Sequence, residues 1–448
     1  KNIAELIGPF PEKTPLNARV TGVIQRDGFR IEKLIYESQP GFFVTAALFV
    51  PENLRGKAPA ILYCSGHSDA GFRAPPYLSM ALNLVQKGFV VLAFDPIGQG
   101  ERWQYFNPQT GRSDFGPGNS TREHSRPGSQ CFLTGDSLAR HMIWDGIRSI
   151  DYLLTRPEVD AARIGITGRS GGGTQSAYLA AVDDRILAAA PENYLTTFES
   201  VLKMRGPQDA EQNFHRGIAH GFDQADLLIA RAPQPTLIIA TSRDIFNIEG
   251  TQTAFAEGSR AHRALGGTDS MVMTVDDAEH TSTKKNREAT YAFFRKHLHH
   301  PGDSTDEAIA RPSEDELRIT ETGQVLTALR SETVFTLNRR RAEALAQKLD
   351  KRRRDLPAHL PAVKADAARL AGHTPLVQEQ APAGVFTGRY RRNGYAIEKY
   401  LLPVGDRYAI PILALVPDQA STKVVLYLHP RGKSAQAGIG GEMETLMK

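Results

Sequence analysis

The sequence predicts a mixed α/β fold: a mainly parallel, doubly wound sheet with an antiparallel N-terminal edge. Three observations carry that expectation. Between about residues 60 and 300, short apolar runs alternate with helix-length amphipathic stretches, the signature of consecutive β-α units. The runs are almost continuously apolar, as strands covered on both faces should be. Ahead of them, residues 31–50 form two further runs separated by Gln39-Pro40-Gly41, a turn signal that points to an antiparallel hairpin.

The elements follow in order. Parallel strands are expected at residues 60–64, 89–94, 164–166, 186–190, 236–240 and 271–275. Between the second and third, Ile143, Ile147, Ile150 and Leu154 recur at spacings of four, three and four. That periodicity places them on one face of a helix packed on the sheet.

Composition sets the outer bounds. The chain has 448 residues, 41% hydrophobic and 23% charged, which excludes wholesale disorder and fibrous architectures. Lys and Arg number 54 against 50 Asp and Glu, a net +4, too mild to mark a nucleic acid or an anionic membrane as a partner. No run approaches the roughly 18 apolar residues of a membrane span. No signal-peptide pattern opens the chain, but its first residue is Lys1 rather than Met, so the compartment stays open. Cys64 and Cys131 are too few for a disulfide framework and are expected as free thiols.

After residue 300 the composition turns to Pro-Gly-Asp-Ser-Thr and then to charged helical sequence with Arg339-Arg340-Arg341 and Lys351-Arg352-Arg353-Arg354. Without interleaved aromatics, these basic runs read as a solvated helix face. The last part of the chain repeats the first. Thr21-Gly22, Arg26, Gly28 and Ile31-Glu32-Lys33 recur as Thr387-Gly388, Arg392, Gly394 and Ile397-Glu398-Lys399, at a constant offset of 366. The expected organisation is a catalytic domain over 1–300, a helical connector over 301–384, and the incomplete start of a second copy over 385–448. A chain stopping inside an α/β unit would leave strand edges unpaired, so the sequence reads as a fragment.

The strand at 164–166 runs into Thr167-Gly168-Arg169-Ser170-Gly171-Gly172-Gly173-Thr174 and then a helical stretch. This is Gly-x-Ser-x-Gly in the strand-turn-helix context of a nucleophile elbow. Ser170 would sit at a helix N-terminus, where the dipole and free N–H groups favour a developing oxyanion. A serine hydroxyl needs a base to take its proton, and the base needs an orienting acid. Asp244 and His280 each follow an expected strand, giving the chain order Ser, Asp, His. Asp276 and Asp277 are the alternative acids, less able to reach the far nitrogen of an adjacent His280. The oxyanion donors are expected to be the Gly171 N–H and a backbone N–H of His67 or Ser68, in the loop Ser65-Gly66-His67-Ser68; the His67 side chain could instead be structural or meet substrate. His215 and His220 read as lid or pocket residues. His297, His299 and His300 cluster at a helix end without further ligands, so no metal site is expected.

The elbow, the segment Ala93-Phe94-Asp95-Pro96-Ile97-Gly98-Gln99-Gly100-Glu101-Arg102 and the segment 194–198 resemble the acetyl xylan esterase-like group of the α/β-hydrolase superfamily. They are also similar to prolyl-oligopeptidase-type hydrolases. The resemblance covers about residues 22–298 and, for its first elements, the repeat from Thr387. It implies an α/β-hydrolase fold, no cofactor, a scaffold role for Asp95 and Arg102, and hydrolysis of a carboxylic ester, with a small-molecule or polysaccharide carbohydrate ester as substrate. That substrate class would suit secretion or a periplasmic location. Residue 169, often small or polar in such elbows, is Arg, which implies either a cation facing a substrate carboxylate or a buried ion pair. Residues 103–135 and 193–226 are expected to wall the pocket, with Trp103, Tyr105 and Phe106 as sugar-stacking or covering aromatics. A serine peptidase or amidase shares the triad and stands as the alternative. The second copy, with Leu428-His429-Pro430-Arg431-Gly432 but no following Gly-x-Ser-x-Gly, could be a non-catalytic scaffold. Oligomeric state is not legible.

Overall fold

The computed structural model describes residues 2–204, 206, 208–373, 383–405, 408–419 and 421–447. Residues 374–382 of the expected connector lie outside the described residues, as does Lys448. The chain divides into two compact units, residues 1–351 and 352–448.

A nine-stranded sheet organises the first unit. Its strands are β1 (Arg19–Arg26), β2 (Phe29–Gln39), β3 (Phe42–Pro51), β4 (Ala58–Cys64), β5 (Val90–Phe94), β6 (Val159–Arg169), β7 (Ile186–Glu192), β8 (Thr236–Thr241) and β9 (Met271–Asp276). They lie in the order β1-β2-β3-β5-β4-β6-β7-β8-β9. The pairs β1/β2, β2/β3 and β3/β5 are antiparallel, and every later pair is parallel. The expected parallel strands are β4 to β9, and the expected hairpin is β2–β3. Strand β1 escapes a reading of apolar runs because it is an edge strand with no fully buried residue.

Strand β4 shows why its run is continuously apolar. Ile61 and Tyr63 point into one buried layer with Phe49 and Val91, while Leu62 and Cys64 point into the other with Leu48, Leu92 and Ile166. Each fully buried aliphatic side chain contributes roughly 1.5–3 kcal/mol, so both faces must be covered. The covering helices include α1 (Pro75–Gln86), α3 (Leu138–Leu153), α4 (Gly171–Val182) and α5 (Lys284–His297), while α2 (Ser120–Leu133) packs through Cys131 in a separate small cluster with Phe42 and Ile97. Ile143, Ile147 and Ile150 of α3, with Tyr178 and Leu179 of α4, pack into one layer. Leu82 and Val85 of α1, with Tyr291 and Phe294 of α5, pack into the other.

The turn after β5 is tied down by buried charge. Arg73 donates from Nη1 to both carboxylate oxygens of Asp95 at 2.9 and 2.8 Å, and from Nη2 to Glu101 at 2.7 Å. Arg102 pairs with Asp145 at 2.8 Å, each side chain 1% exposed, and donates to the carbonyls of Phe43 and Asp95. Asp95 and Arg102 thus serve the scaffold, since removing one member of such a set strands a buried charge.

Residues 301–324 form no helix; they run as an irregular strap over the first unit. Glu307 exchanges two 2.9 Å hydrogen bonds with the Asn83 amide. Glu101 accepts from the N–H groups of Ile319 and Thr320 and from the Thr320 hydroxyl. Side chains of the sheet unit thus satisfy the strap's backbone in place of helical bonds. The helix α6 (Val334–Arg353) follows, its first N–H held by Gln104 at 2.8 Å. Within it, Arg340 pairs with Glu332 and Arg341 donates to the Thr134 carbonyl.

The second unit contains α7 (Leu356–Leu370) and an antiparallel sheet of β10 (Val385–Arg392), β11 (Tyr395–Val404) and β12 (Tyr408–Pro417). The internal repeat extends to the pairing register. Gly388 faces Lys399 as Gly22 faces Lys33, and both ladders shift register at the preceding residues. Residues 422–428, where Leu426-Tyr427 repeats Leu62-Tyr63 of β4, form no strand, and Leu426 and Leu428 are more than 80% exposed. In the first unit β4 is hydrogen-bonded on both sides, by β5 and β6; no such flanking strands occur among the described residues of the second.

Candidate active site

At the end of β6 the chain makes the sharp turn that the glycine pattern predicts. Ser170 has φ 61° and ψ −125°, a region costly for a residue with a Cβ, by about 1–3 kcal/mol. Its N–H donates to the Glu192 carbonyl at 3.0 Å, and its carbonyl accepts from the Thr174 N–H at 2.9 Å as α4 begins. A Cβ at Gly168 or Gly172 would lie 2.2 or 2.0 Å from the Cys64 carbonyl oxygen. Only glycine lets strand, turn and helix approach this closely. The side chain of Ser170 is thereby turned out at the helix N-terminus.

The loop after β4 closes on this turn. A Cβ at Gly66 would come within 3.1 Å of the Ser170 Cβ, and one at Gly171 within 2.9 Å of the His67 ring. His67 is therefore packed directly against the residue after Ser170. The Ser68 hydroxyl accepts from the Ala70 N–H at 3.2 Å.

Asp244 and His280 meet although they lie 36 positions apart: His280 Nδ1 is 2.8 Å from Asp244 Oδ1. An N–H must sit on Nδ1 to bond a carboxylate, which leaves Nε2 as the free basic nitrogen. Asp244 is oriented in turn by the Phe246 N–H at 2.8 Å and the Thr241 hydroxyl at 3.0 Å. The alternative acids are occupied at the surface, Asp277 by Ser242 and Arg243 and Asp276 by Lys285.

Arg169 joins the elbow to the histidine loop, donating from Nη1 to the His280 carbonyl at 3.1 Å. Its guanidinium lies 5.4 Å from the Tyr77 ring centroid, and no ion pair holds it among the described residues. The nearby Glu192 carboxyl is fully enclosed; burial foremost, with Asp244 adding, pushes it up to about 7 against the pull of Arg169 and Arg287.

Trp103 packs 6.2 Å from Phe106, while Tyr105 is enclosed by Phe115 and Phe335 at 4.6 and 4.7 Å. His215 rests against Phe132. At the helix end, His300 bonds the Lys87 carbonyl and His297 packs on Phe293.

A polar cluster that sequence reading missed lies beside the elbow. His67, His124, Asp209 and Glu211 bring one ligand-type atom each to within 4.8 Å of the others. Burial opposes charge on His124, but Glu211 and Asp209 outweigh it and raise the group to about 9. Only Asp209 and Glu211 are close in sequence; nothing local links them to His67 or His124.

The fold is that of an α/β-hydrolase and the chain is a carboxylic ester hydrolase; residues 17–220 match the family described as acetyl xylan esterase (AXE1). Among curated relatives, the YtaP protein of Bacillus subtilis (strain 168), whose name assigns it only to the hydrolases, is 24% identical over 315 residues, covering 66% of this chain and 98% of its own. Among solved structures, the methylesterase BT1017 superposes with a TM-score of 0.57 at 22% identity, over 74% of this chain and 69% of that one. The BF1801 protein of Bacteroides fragilis NCTC 9343, provisionally named an acetyl xylan esterase, gives 0.50 at 19% identity over 68% and 77%. At these identities the two structures speak for the fold alone.

Proposed function

We propose that the first unit hydrolyses carboxylic esters of carbohydrates through Ser170, His280 and Asp244 by way of an acyl-enzyme. Two observations support this reading: Ser170 holds a left-handed φ of 61° at the elbow, and Asp244 joins His280 on a loop that Arg169, the residue before Ser170, hydrogen-bonds. His280 Nε2 takes the Ser170 proton as Oγ attacks the ester carbonyl, and Asp244 stabilises the imidazolium. The Gly171 N–H, with an N–H of His67 or Ser68, holds the tetrahedral oxyanion. His280 then protonates the leaving alkoxide and activates water to release the acid. The carbohydrate part rests on the family, whose description names an acetyl xylan ester.

The decisive experiment is Ser170→Ala assayed on p-nitrophenyl acetate, with far-UV circular dichroism to verify folding. Turnover should vanish, and a fluorophosphonate should label the parent protein but not the variant. Full activity in the variant overturns the assignment. An ester and an aminoacyl amide compared side by side distinguish an esterase from an amidase. Acetylated, feruloylated and methyl-uronate saccharides then identify the acyl and alcohol partners.

A further inference from the structure

Beyond ester hydrolysis, we propose that His67, His124, Asp209 and Glu211 form a binding site for a divalent transition-metal ion, Zn²⁺ by preference, next to the elbow. The four side chains come from three separate places: His67 from the loop after β4, His124 from α2, and Asp209 and Glu211 from the turn around Ala210–Gln212. His67 Nε2 lies 2.8 Å from both Asp209 Oδ2 and Glu211 Oε1, and 3.2 Å from His124 Nδ1. His124 Nδ1 lies 3.2 Å from Asp209 Oδ2 and 3.1 Å from Glu211 Oε2. Ligands about 2.0–2.1 Å from a tetrahedral zinc stand roughly 3.3 Å apart, close to this spacing.

Three further observations favour an ion over a knot of hydrogen bonds. A single ring nitrogen of His67 faces two carboxylates and a second imidazole, and one N–H cannot serve all three. Both Glu211 oxygens are buried without a well-aligned hydrogen bond, although they lie 2.8 and 3.1 Å from the nitrogens of His67 and His124. His124 Nε2 is 2.7 Å from the Ile97 carbonyl. A carbonyl only accepts, so the proton is on Nε2 and Nδ1 faces the cluster. A ring N–H given to a backbone carbonyl is how metal-binding histidines are usually oriented.

The charges balance as well. Two neutral imidazoles and two carboxylates carry −2, which a divalent cation cancels in a site where Glu211 and His124 are each 1% exposed. Two imidazoles and two carboxylates suit Zn²⁺ and neighbouring first-row ions rather than Mg²⁺ or Ca²⁺. The ion would pin His67 against Gly171 and so fix the loop that faces the nucleophile.

The test uses the full chain, stripped with a chelator and then dialysed separately against Zn²⁺, Co²⁺ and Mn²⁺. Elemental analysis should find about one Zn²⁺ per chain, and the Co²⁺ form should show visible d–d bands of a four-coordinate N/O site. The thermal midpoint should rise on Zn²⁺ addition. His124→Ala and Glu211→Gln should each lose the ion, with Asp209→Asn as the near-isosteric variant if either fails to fold. Ser170→Ala should keep the ion, so failure of the proposed hydrolysis and failure of this site are distinguishable. Stripped parent protein that takes up none of the three ions overturns the proposal, as does equal uptake by all three cluster variants. Protons on His67 and His124 would then be what neutralises the carboxylates.

Discussion

The guanidinium of Arg169 holds the backbone carbonyl of His280 at 3.1 Å, so the residue before the proposed nucleophile is tied to the loop that carries the proposed base. On the proposed mechanism Arg169 is a positioning residue. Charge-assisted hydrogen bonds of this kind are worth about 1.5–3 kcal/mol. Arg169→Ala should therefore lower kcat about 10- to 100-fold, equally on p-nitrophenyl acetate and on an acetylated oligosaccharide, with KM unchanged. Arg169→Lys should recover part of the loss, because an ammonium supplies charge without the planar fork. A defect confined to the KM of uronate esters would instead assign Arg169 to the substrate.

Asp244 reaches His280 at 2.8 Å from a buried position. Asn at 244 keeps the shape but offers an amide where the Nδ1 proton needs an acceptor, and it no longer balances the imidazolium. Losses of about 10⁴ in kcat accompany that exchange in Ser-His-Asp enzymes, and Asp244→Asn is expected to approach this. Stopped assays with excess variant enzyme would measure it. Retention of more than a tenth of the parent rate would move the acid role elsewhere.

Glu101 anchors the strap. Its carboxylate receives Arg73 and the N–H groups of Ile319 and Thr320 while 4% exposed. Glu101→Ala leaves those donors and half of the Arg73 charge without an acceptor, a loss of roughly 3–5 kcal/mol. Urea unfolding should show it, and limited proteolysis should find new cleavage within residues 301–324. Unchanged proteolysis would mean that the strap holds by other contacts.

What the sequence disclosed follows from which interactions are periodic. Strands β4 to β8 were legible because burial on both faces forces largely unbroken apolar runs, and the elbow because Gly168, Ser170 and Gly172 must lie close together in the chain to make one turn. Edge strand β1 was not, since most of its residues meet water. The strap over 301–324 left no periodic trace because its backbone is satisfied by single side chains such as Asn83 and Glu101. The cluster around His124 was equally silent: its members are brought together by the fold, and the only local hint is Asp209 and Glu211 two residues apart. The order of β5 between β3 and β4 is likewise a property of pairing that no single run encodes.

The Glu192 carboxyl provides a pH signature for this buried region. Burial, aided by Asp244, pushes it up to about 7, against about 4.3 for an unfolded glutamate. Below about pH 4.3 the group is protonated in both states and its burial carries no charge penalty. Between there and 7 the folded chain keeps a proton that the unfolded chain has released, so stability falls as pH rises, and above 7 the loss is complete. The total is on the order of 3 kcal/mol. Glu192→Gln removes the titration, so the variant should match the parent near pH 5 and exceed it in urea midpoint at pH 8. Parallel stability profiles for the two proteins from pH 5 to 8 would show that Glu192 stays ionised in the folded state, with Arg169 and Arg287 outweighing its burial.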